Sequence, residues 1–498
     1  MGTIGEGQAA ANANATGGMA LRGAGLLIVR QGLVSLATVA GVLTLSALLS
    51  PGDFALYGYA TTVMLLGAAV GDLGLGASLI RREEPTDEQL RGSFALQLAF
   101  WLPICVLGTA AGAALAVYGF STATTALLFG ALLLISLQAL PTALLERRMR
   151  FGAITAVESS QRIVFVAVAI SLAAASPAQW STPLAALAAG AVSYPAVLAI
   201  SRWHWWPKLH RGEPLFRGFS SHWWQSRIAN QLTYATYPLL GGLLFTSREV
   251  GLMVWALAVT SIPALMAPMV ARAAFPAMAR TAPEDQVAVF RPLFKGLLLV
   301  GLPMVAAIFT CAEPLTAYVL GSKWLDGVVL LRLESATTLL GIVLTVVAPL
   351  LFLMMPARRV KWIMVSWTAA VVVLGAALAP LAGFRSISIA QIVVASVVLF
   401  VVVRAVSEHR SYRILSDMRP GLVGLVVAVA IGIPLAGAAG SAAGALAAAA
   451  AVAVVQLAVT VALGGGADPR MILRRARPAA PADDLGSAAA VGEEQLRP

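Results

Sequence analysis

VVLLRLESATTLLGIVLTVVAPLLFLMM, residues 328–355, is an apolar run whose only ionisable side chains are Arg332 and Glu334. A helix of about 20 residues crosses the hydrocarbon core of a bilayer, so this run is long enough to span one. Runs of the same character lie at Leu33–Leu49, Phe54–Ile80 and Leu297–Leu320. Together they predict a polytopic membrane protein made of α-helices.

The bulk composition agrees with this prediction. Hydrophobic residues make up 59% of the 498-residue chain and charged residues 11%, and the mean hydropathy is +0.85, all far from soluble averages. The net charge of +11 would suggest a nucleic-acid partner in a soluble protein. Here the bias of cytoplasmic loops toward Lys and Arg explains it, so no nucleic-acid partner is predicted. Cys105 and Cys311 both lie within apolar runs, which argues against a disulfide framework.

Run lengths and turn signals predict about fourteen transmembrane helices. Their centres fall near Thr38, Gly67, Gly108, Leu133, Ala167, Gly190, Thr236, Ala258, Val305, Leu340, Val371, Val394, Val429 and Val454. If the N-terminus is cytoplasmic, the predicted outer loops hold only Arg248, Lys323 and Arg385 of the 34 basic residues. An even number of spans with both termini in the cytoplasm gives this distribution, because positive charge concentrates on the inner side.

A sequence repeat divides the chain into two lobes. Arg22-Gly23 precedes the first span as Arg217-Gly218 precedes the seventh, and Leu48–Ala60 aligns with Leu244–Ala256. Six spans per copy make the repeat parallel, as in some secondary transporters. The predicted parts are a cytoplasmic tail at 1–21, an N-lobe of helices 1–6 at 22–201, an amphipathic cytoplasmic linker at 202–221, a C-lobe of helices 7–12 at 222–406, helices 13–14 with their preceding loop at 407–463, and a disordered cytoplasmic tail at 464–498. In the linker, Trp203, Trp205 and Trp206 are predicted at headgroup depth.

Ionisable residues within spans are costly and therefore mark functional candidates. Arg30 and Arg227 occupy nearly matching places in helices 1 and 7, and Asp72 and Arg272 do so in helices 2 and 8. Two facing lobes would direct these groups into one cavity open to the cytoplasm, beside the polar side chains Gln31, Asn230 and Gln231. Guanidinium groups match phosphate oxygens with forked donors and stay charged, so the sequence predicts an anion-binding cavity. The alternative is that each arginine reaches the headgroups or pairs with a carboxylate.

The remaining intramembrane charges have less specific interpretations. Glu158 and Arg162 stand four apart, which favours a local ion pair near the inner interface. Glu313, Arg332 and Glu334 lie toward outer helix ends and could pair to close an outer gate, or be ordinary interface residues. Asp72 or Glu313 could carry a coupling proton if buried. No catalytic set and no metal-ligand spacing is recognisable in the sequence, so neither an enzyme activity, a metal nor a cofactor is predicted.

The stretch LLSPGDFALYGYATTVMLLGAAVGDLGLGASLIRREEPTDEQLRGSF, residues 48–94, resembles the polysaccharide-export flippases of bacteria. These belong to the superfamily that includes multidrug and toxin extruders and the peptidoglycan-precursor flippase. The matching points are the turn at Pro51–Phe54, Tyr57-Gly58, Asp72–Leu75 and Ile80–Arg82. The counterpart TSREVG in the second half keeps Glu249 but lacks the proline and phenylalanine.

The resemblance implies two six-helix bundles around a central cavity, with two extra C-terminal helices, in the bacterial plasma membrane. It also implies alternating access that moves an undecaprenyl-diphosphate-linked glycan from the inner to the outer leaflet. In such flippases cavity arginines are thought to hold the diphosphate, a role that Arg30 and Arg227 fit by placement. Membrane lipids and the polysaccharide polymerase or export machinery are the other expected partners.

Three alternatives stay open at this point. A cation-coupled drug extruder of the same fold would need a cavity acid in the first helix, where Arg30 stands instead. A polysaccharide polymerase or glycosyltransferase would need a substantial loop outside the bilayer, whereas Ser50–Asp53 and Gly383–Ser386 are very short. A passive scaffold of an export complex would not need buried charges.

Overall fold

The structure, a computed structural model, describes residues 37–71, 86–112, 119–148, 150–175, 178–208, 219–267, 285–410 and 412–465, with a few isolated positions between 268 and 284. Within these residues every regular element is helical. Ten helical stretches there are long and apolar enough to cross a membrane. The predicted all-α polytopic fold class is confirmed, while the number fourteen stays a prediction.

The first lobe contains six helical segments. They are α1 (Ala37–Leu48), α2 (Pro51–Gly71), α3 (Asp87–Ala110), α4 (Thr122–Arg147, broken at Gln138), α5 (Phe151–Ala175) and α6 (Ala178–Ser201). Helix α6 packs against α4 and α5, and α3 packs against α4.

The second lobe and the C-terminal pair follow. The segments are α7 (Phe219–Leu244), α8 (Ser247–Thr260), α9 (Gln286–Thr310), α10 (Val328–Met354), α11 (Ala357–Ala382), α12 (Ser386–Arg410), α13 (Ile414–Gly437) and α14 (Ala442–Ala462). Helix α11 packs against α7 and α12, and α10 packs against α9 and α12. The pair α13–α14 packs on α9. We call the end of the bundle that carries the α1–α2 and α7–α8 connections the outer end, following the predicted orientation.

The sequence repeat has a structural cause at the starts of α2 and α8. The Asp53 backbone N–H donates to Ser50 Oγ, and the Glu249 N–H donates to Thr246 Oγ1. The Thr246 N–H in turn donates to the Glu249 carboxylate at 2.8 Å, which completes a capping box. A hydroxyl residue followed three positions later by an acid therefore begins the second helix of each lobe. Both copies of the repeat share this pair, whereas Pro51 and Phe54 of the first copy have no counterpart in the second.

The linker begins as irregular chain packed on the first lobe. Trp205 is buried among Leu90, Phe94 and neighbouring apolar side chains, and its indole N–H donates to Asp87 Oδ1 at 2.9 Å. Trp206 is 82% exposed. Asp87 is exposed at the start of α3, so the Trp205 indole bonds to a carboxylate at a helix end. The headgroup depth of Trp203, Trp205 and Trp206 stays a prediction. Helix α7 begins at Phe219, three residues before the predicted lobe boundary.

The C-terminal pair is tied to the second lobe by a polar cluster. Asp417 of α13 is almost fully buried and accepts two 2.7 Å bonds from Arg291 and one of 2.7 Å from the Tyr412 hydroxyl. Lys295 Nζ lies 3.3 Å from the same carboxylate. Arg291 and Lys295 both lie on α9, so these bonds join α9 to α13.

Candidate functional site: the contact between the two lobes

The two lobes meet where α2 crosses α8 near their outer ends. A Cβ added at Gly251 would overlap the carbonyl oxygen of Pro51, so the two backbones are in direct contact there. Two turns deeper, a Cβ at Gly58 would lie 2.6 Å from Val254 Cγ2. Only glycine permits such close approach, so these two positions fix where the lobes touch.

A second contact lies beside the first, in the segment before α10. Trp324 is fully buried and stacks on Trp255 with ring centroids 4.8 Å apart, while Phe54 of α2 meets its ring edge at 5.4 Å. Its indole N–H donates to the carbonyl of Ser46 at 3.0 Å, and Lys323 Nζ donates to the carbonyl of Ala47 at 2.7 Å. The second lobe thus caps the C-terminal carbonyls of α1.

The capping segment can do this because of its local geometry. The last carbonyls of a helix have no intrahelical donor and carry partial negative charge, so an ammonium and an indole N–H are suitable partners. A π-helical turn at Thr316–Gly321 is followed by a 3₁₀ turn at Ser322–Gly327. Gly321 has φ of +111°, which a residue with a side chain rarely adopts, and this allows the chain to reverse toward α1. We call Gly321–Gly327 the outer latch.

Helix α7 carries the part of the predicted anion site that the structure describes. One face packs on α11, since the hydroxyls of Thr233 and Thr368 are 2.7 Å apart and Thr368 also donates to the Ala229 carbonyl. Asn230 is exposed and Gln231 is partly buried. Arg227 stands one turn before Gln231 on this helix.

Four of the predicted cavity residues, Arg30, Gln31, Asp72 and Arg272, lie outside the described residues. The Arg227 side chain is likewise outside what the structure describes. The anion site therefore stays a prediction, of which the structure supplies the position of α7 and the polar side chains Asn230 and Gln231. At the inner end, α7 also contacts α2, since the Trp224 indole donates to the Val70 carbonyl at 3.2 Å.

The three outer charges do not act as one group. Arg332 Nη2 lies 3.8 Å from Glu313 Oε2, and both side chains are well exposed. Such a pair contributes little in water. The Glu313 side chain is 70% exposed, so the burial on which its coupling role depended is absent.

Glu334 has a different environment from the other two. It is fully buried within the second lobe and accepts a 3.1 Å hydrogen bond from the Tyr237 hydroxyl of α7. The other carboxyl oxygen, Oε1, has no hydrogen-bond partner among the described residues. None of the ion pairs among the described residues includes Glu334, and burying a charged carboxylate without a partner is very costly, so Glu334 is a candidate for protonation or for binding a cation.

Arg162 lies at the middle of α5 rather than near the inner interface. Its Nε donates to Thr38 Oγ1 of α1 at 3.1 Å, and its guanidinium carbon is 5.8 Å from the centre of the Phe165 ring. It also lies near enough to Tyr57 of α2 to interact with it electrostatically. No sequence pattern connects Arg162 with Thr38 of α1, because the two residues are separated by 124 positions.

No group of three or more metal-ligating side chains occurs among the described residues. What the described residues offer instead is a close backbone contact between the two lobes and a set of hydrogen bonds that holds it.

Comparison with solved structures identifies the class of fold. The lipid II flippase MurJ, in an inward closed conformation, superposes with a TM-score of 0.69 over 89% of this chain and 98% of its own, at 10% identity. A multidrug resistance MATE family transporter of the MOP superfamily, in an inward-facing conformation, gives 0.53 over 76% of this chain and 96% of its own, at 12% identity. At these identities the likeness shows a shared fold, that of a multi-pass, two-lobe membrane protein.

The family follows from the sequence comparison. A family described as polysaccharide biosynthesis protein matches residues 44–329, more than half of the chain, and the chain belongs to this family. The teichuronic acid biosynthesis protein TuaB of Bacillus subtilis (strain 168) is 24% identical over 287 residues, which are 55% of this chain and 58% of TuaB. The match thus spans less than two thirds of that relative.

Proposed function

We propose that this protein is a flippase that moves a polyprenyl-diphosphate-linked oligosaccharide from the cytoplasmic to the outer leaflet of the bacterial plasma membrane. Membership of the polysaccharide biosynthesis family supports the cargo class. The observation that carries the mechanism is the closed lobe contact at the outer end, where α2, α8 and the outer latch meet. A carrier that alternates its access needs such a contact in one state and must break it in the other.

The anion site completes the proposal. Arg30 from the first lobe and Arg227 from the second would hold the diphosphate through forked, charge-assisted hydrogen bonds. Arg272 and Asp72 would lie nearby, and Gln31, Asn230 and Gln231 would bond neutral parts of the cargo. The polyprenyl chain would stay in membrane lipid, and the released glycan would pass to a polymerase or export assembly.

Substitution of the two arginines tests the proposal. Arg30→Ala and Arg227→Ala should each abolish surface polysaccharide while the protein still reaches the membrane at normal levels. Each change removes a guanidinium group that would donate hydrogen bonds to the diphosphate. Arg248→Ala removes a guanidinium from an exposed outer ion pair with Asp326 and serves as the matched control, which should export normally. Unchanged surface polysaccharide in both cavity variants would contradict the anion site.

A drug extruder of the same fold makes a different prediction in a deletion strain. If the cargo is a lipid-linked glycan, loss of the protein should cause that intermediate to accumulate in the inner leaflet, which lipid analysis with a leaflet-specific probe can detect. If the protein is an extruder, its loss should leave the lipid pool unchanged and make the cells more sensitive to toxic cations.

A further inference from the structure

Helix α8 contacts both α2 and α7 near the outer end of the bundle. A Cβ added at Gly58 of α2 would lie 2.6 Å from Val254 Cγ2 of α8. A Cβ added at Gly241 of α7 would lie 3.4 Å from Met253 Cε of the same helix. These two contacts identify the face that α2 and α7 each turn toward α8.

Two turns deeper, the same faces of α2 and α7 are uncovered. Leu65 and Tyr234 each stand seven residues closer to the inner end than the glycine on their helix, and about seven residues make two full turns. Leu65 is nevertheless 54% exposed and Tyr234 42% exposed. Helix α8 ends at Thr260, and a 3₁₀ turn that contains Pro263 follows it. The three helices therefore diverge below the lobe contact, and we call the space between them the inner cleft.

Tyr234 faces the inner cleft rather than lipid. Leu232 stands two residues before it, which is about 200° around the helix, so the two side chains point to opposite sides. That opposite side carries Leu232 and Leu243, which are 40% and 70% exposed and have the apolar character of a lipid-facing surface. Tyr234 instead lies close enough to Glu334 to interact with it electrostatically, and Glu334 is fully buried within the second lobe. The Tyr234 ring is thus enclosed by the protein and still accessible.

Side-chain amides stand beside this ring on α7. Asn230 and Gln231 precede Tyr234 by four and three residues, the spacing of neighbours on a helix surface, and Asn230 is exposed. A pyranose ring has an apolar patch of C–H bonds on one face and hydroxyl groups around its rim. An aromatic ring packs on the patch, and an amide supplies both a donor and an acceptor for the hydroxyls. An accessible tyrosine with amides one turn away is therefore suited to a sugar.

We propose that Tyr234 stacks on a sugar ring of the cargo, while the amides of Asn230 and Gln231 bond the hydroxyls of that sugar. The inference rests on the proposed function and adds to it a residue that recognises the glycan rather than the diphosphate. Tyr234 stands fifteen residues from the start of α7 and Arg227 eight, so Tyr234 lies about 10 Å deeper at 1.5 Å per residue. A cargo whose diphosphate is held at Arg227 would have its glycan within reach of Tyr234.

Binding to the purified full-length protein tests this with two lipids as separate probes. One is undecaprenyl diphosphate, and the other is the glycan-bearing lipid extracted from the deletion strain. Tyr234→Leu should weaken binding of the glycan-bearing lipid by about tenfold, because the sugar loses its aromatic partner, and should leave binding of undecaprenyl diphosphate unchanged. Tyr234→Phe keeps the ring and should bind both lipids as the unsubstituted protein does. Tyr234→Met also lacks the ring and should repeat the leucine result, so the test does not depend on the folding of one variant.

Two controls separate recognition of the glycan from other effects. Tyr318→Leu makes the same change at a tyrosine that is 47% exposed in the segment before the outer latch, and it should leave both affinities unchanged. Arg227→Ala should weaken both lipids by the same factor, since both carry the diphosphate.

The other outcomes contradict the stacking role of Tyr234. They are an unchanged affinity for the glycan-bearing lipid in Tyr234→Leu and Tyr234→Met, an equal loss for both lipids, or no binding of either lipid by the unsubstituted protein. A loss in Tyr234→Phe as large as that in Tyr234→Leu would assign the hydroxyl rather than the ring, and it also overturns the proposal. All of these leave the flippase assignment standing if the deletion strain accumulates the glycan-bearing lipid. A deletion strain with an unchanged lipid pool refutes the proposed function itself, and the role of Tyr234 with it.

Discussion

Glu334 differs from Glu313 in burial, although the sequence does not distinguish the two acids. Position in the run suggested an outer interface residue in both cases, but only Glu334 is enclosed and bonded to a second helix, through Tyr237. Sequence periodicity does not report which side of α10 faces α7, so burial had to come from the packing.

Glu334→Gln should stop coupled transport while the protein stays folded. The amide keeps the size of the carboxyl and an oxygen for the Tyr237 hydroxyl, but it can neither bind nor release a proton and carries no charge for a cation. The measurement is glycan export in cells, with the melting temperature of the purified variant as a check on folding. Tyr237→Phe, which only removes the donor, should lower stability by about 1–3 kcal/mol. Full export by Glu334→Gln would remove Glu334 from the coupling step.

At the scale of elements, the outer latch joins a loop of one lobe to a helix end of the other. Trp324 contributes both an aromatic surface, through Trp255 and Phe54, and a hydrogen bond to Ser46. Trp324→Phe removes the hydrogen bond and keeps most of the packing, whereas Trp324→Ala also removes a fully buried ring, at a typical cost of about 3–5 kcal/mol. Both should shift the protein toward an outward-open state, the alanine variant more strongly.

Labelling of a single cysteine can measure that shift. Ser46→Cys, in a background with Cys105 and Cys311 replaced by alanine, places a thiol at a fully buried position under the latch. A membrane-impermeant maleimide added from outside should react slowly with it, faster after Trp324→Phe and fastest after Trp324→Ala. Equal rates in all three proteins would show that the latch does not close the outer end.

The helices themselves followed from the sequence more completely than their contacts. Length and hydropathy predicted the membrane-spanning character of these helices, because a span needs a fixed number of apolar residues whatever it packs against. Their positions were less exact: the predicted centre at Gly108 lies near the end of Asp87–Ala110, and the one at Val305 lies in the second half of Gln286–Thr310. The repeat was visible because caps such as Ser50–Asp53 and Thr246–Glu249 are local. The latch was not, since GSKWLDG has the composition of an ordinary connecting loop and its partners, Ser46 and Ala47, contribute only backbone carbonyls.

At the scale of the whole molecule, features that depend on local sequence were predictable, and contacts between distant residues were not. The parallel repeat and the even span number required two lobes, and the superposition on MurJ confirms that fold. The line along which the lobes meet depends on Gly58 and Gly251, which in the sequence are two glycines among 45. Their role is visible only once Val254 and Pro51 are placed against them.

A reversible bond across that line tests whether the lobes must part for transport. In Gly58→Cys/Val254→Cys the two thiols would lie on facing helices, because a Cβ at position 58 would lie 3.1 Å from the Val254 Cβ. The Cβ atoms of a disulfide are about 3.5–4.5 Å apart, so the helices need to part by only a few tenths of an ångström to form one. Oxidation should lock the outer end shut and stop glycan export, and a reductant should restore it. Val254→Cys alone, which leaves Gly58 in place, should export under both conditions. Export that continues with the cross-link complete would mean that the lobes pass their cargo without opening at α2 and α8, and alternating access across this contact would have to be abandoned.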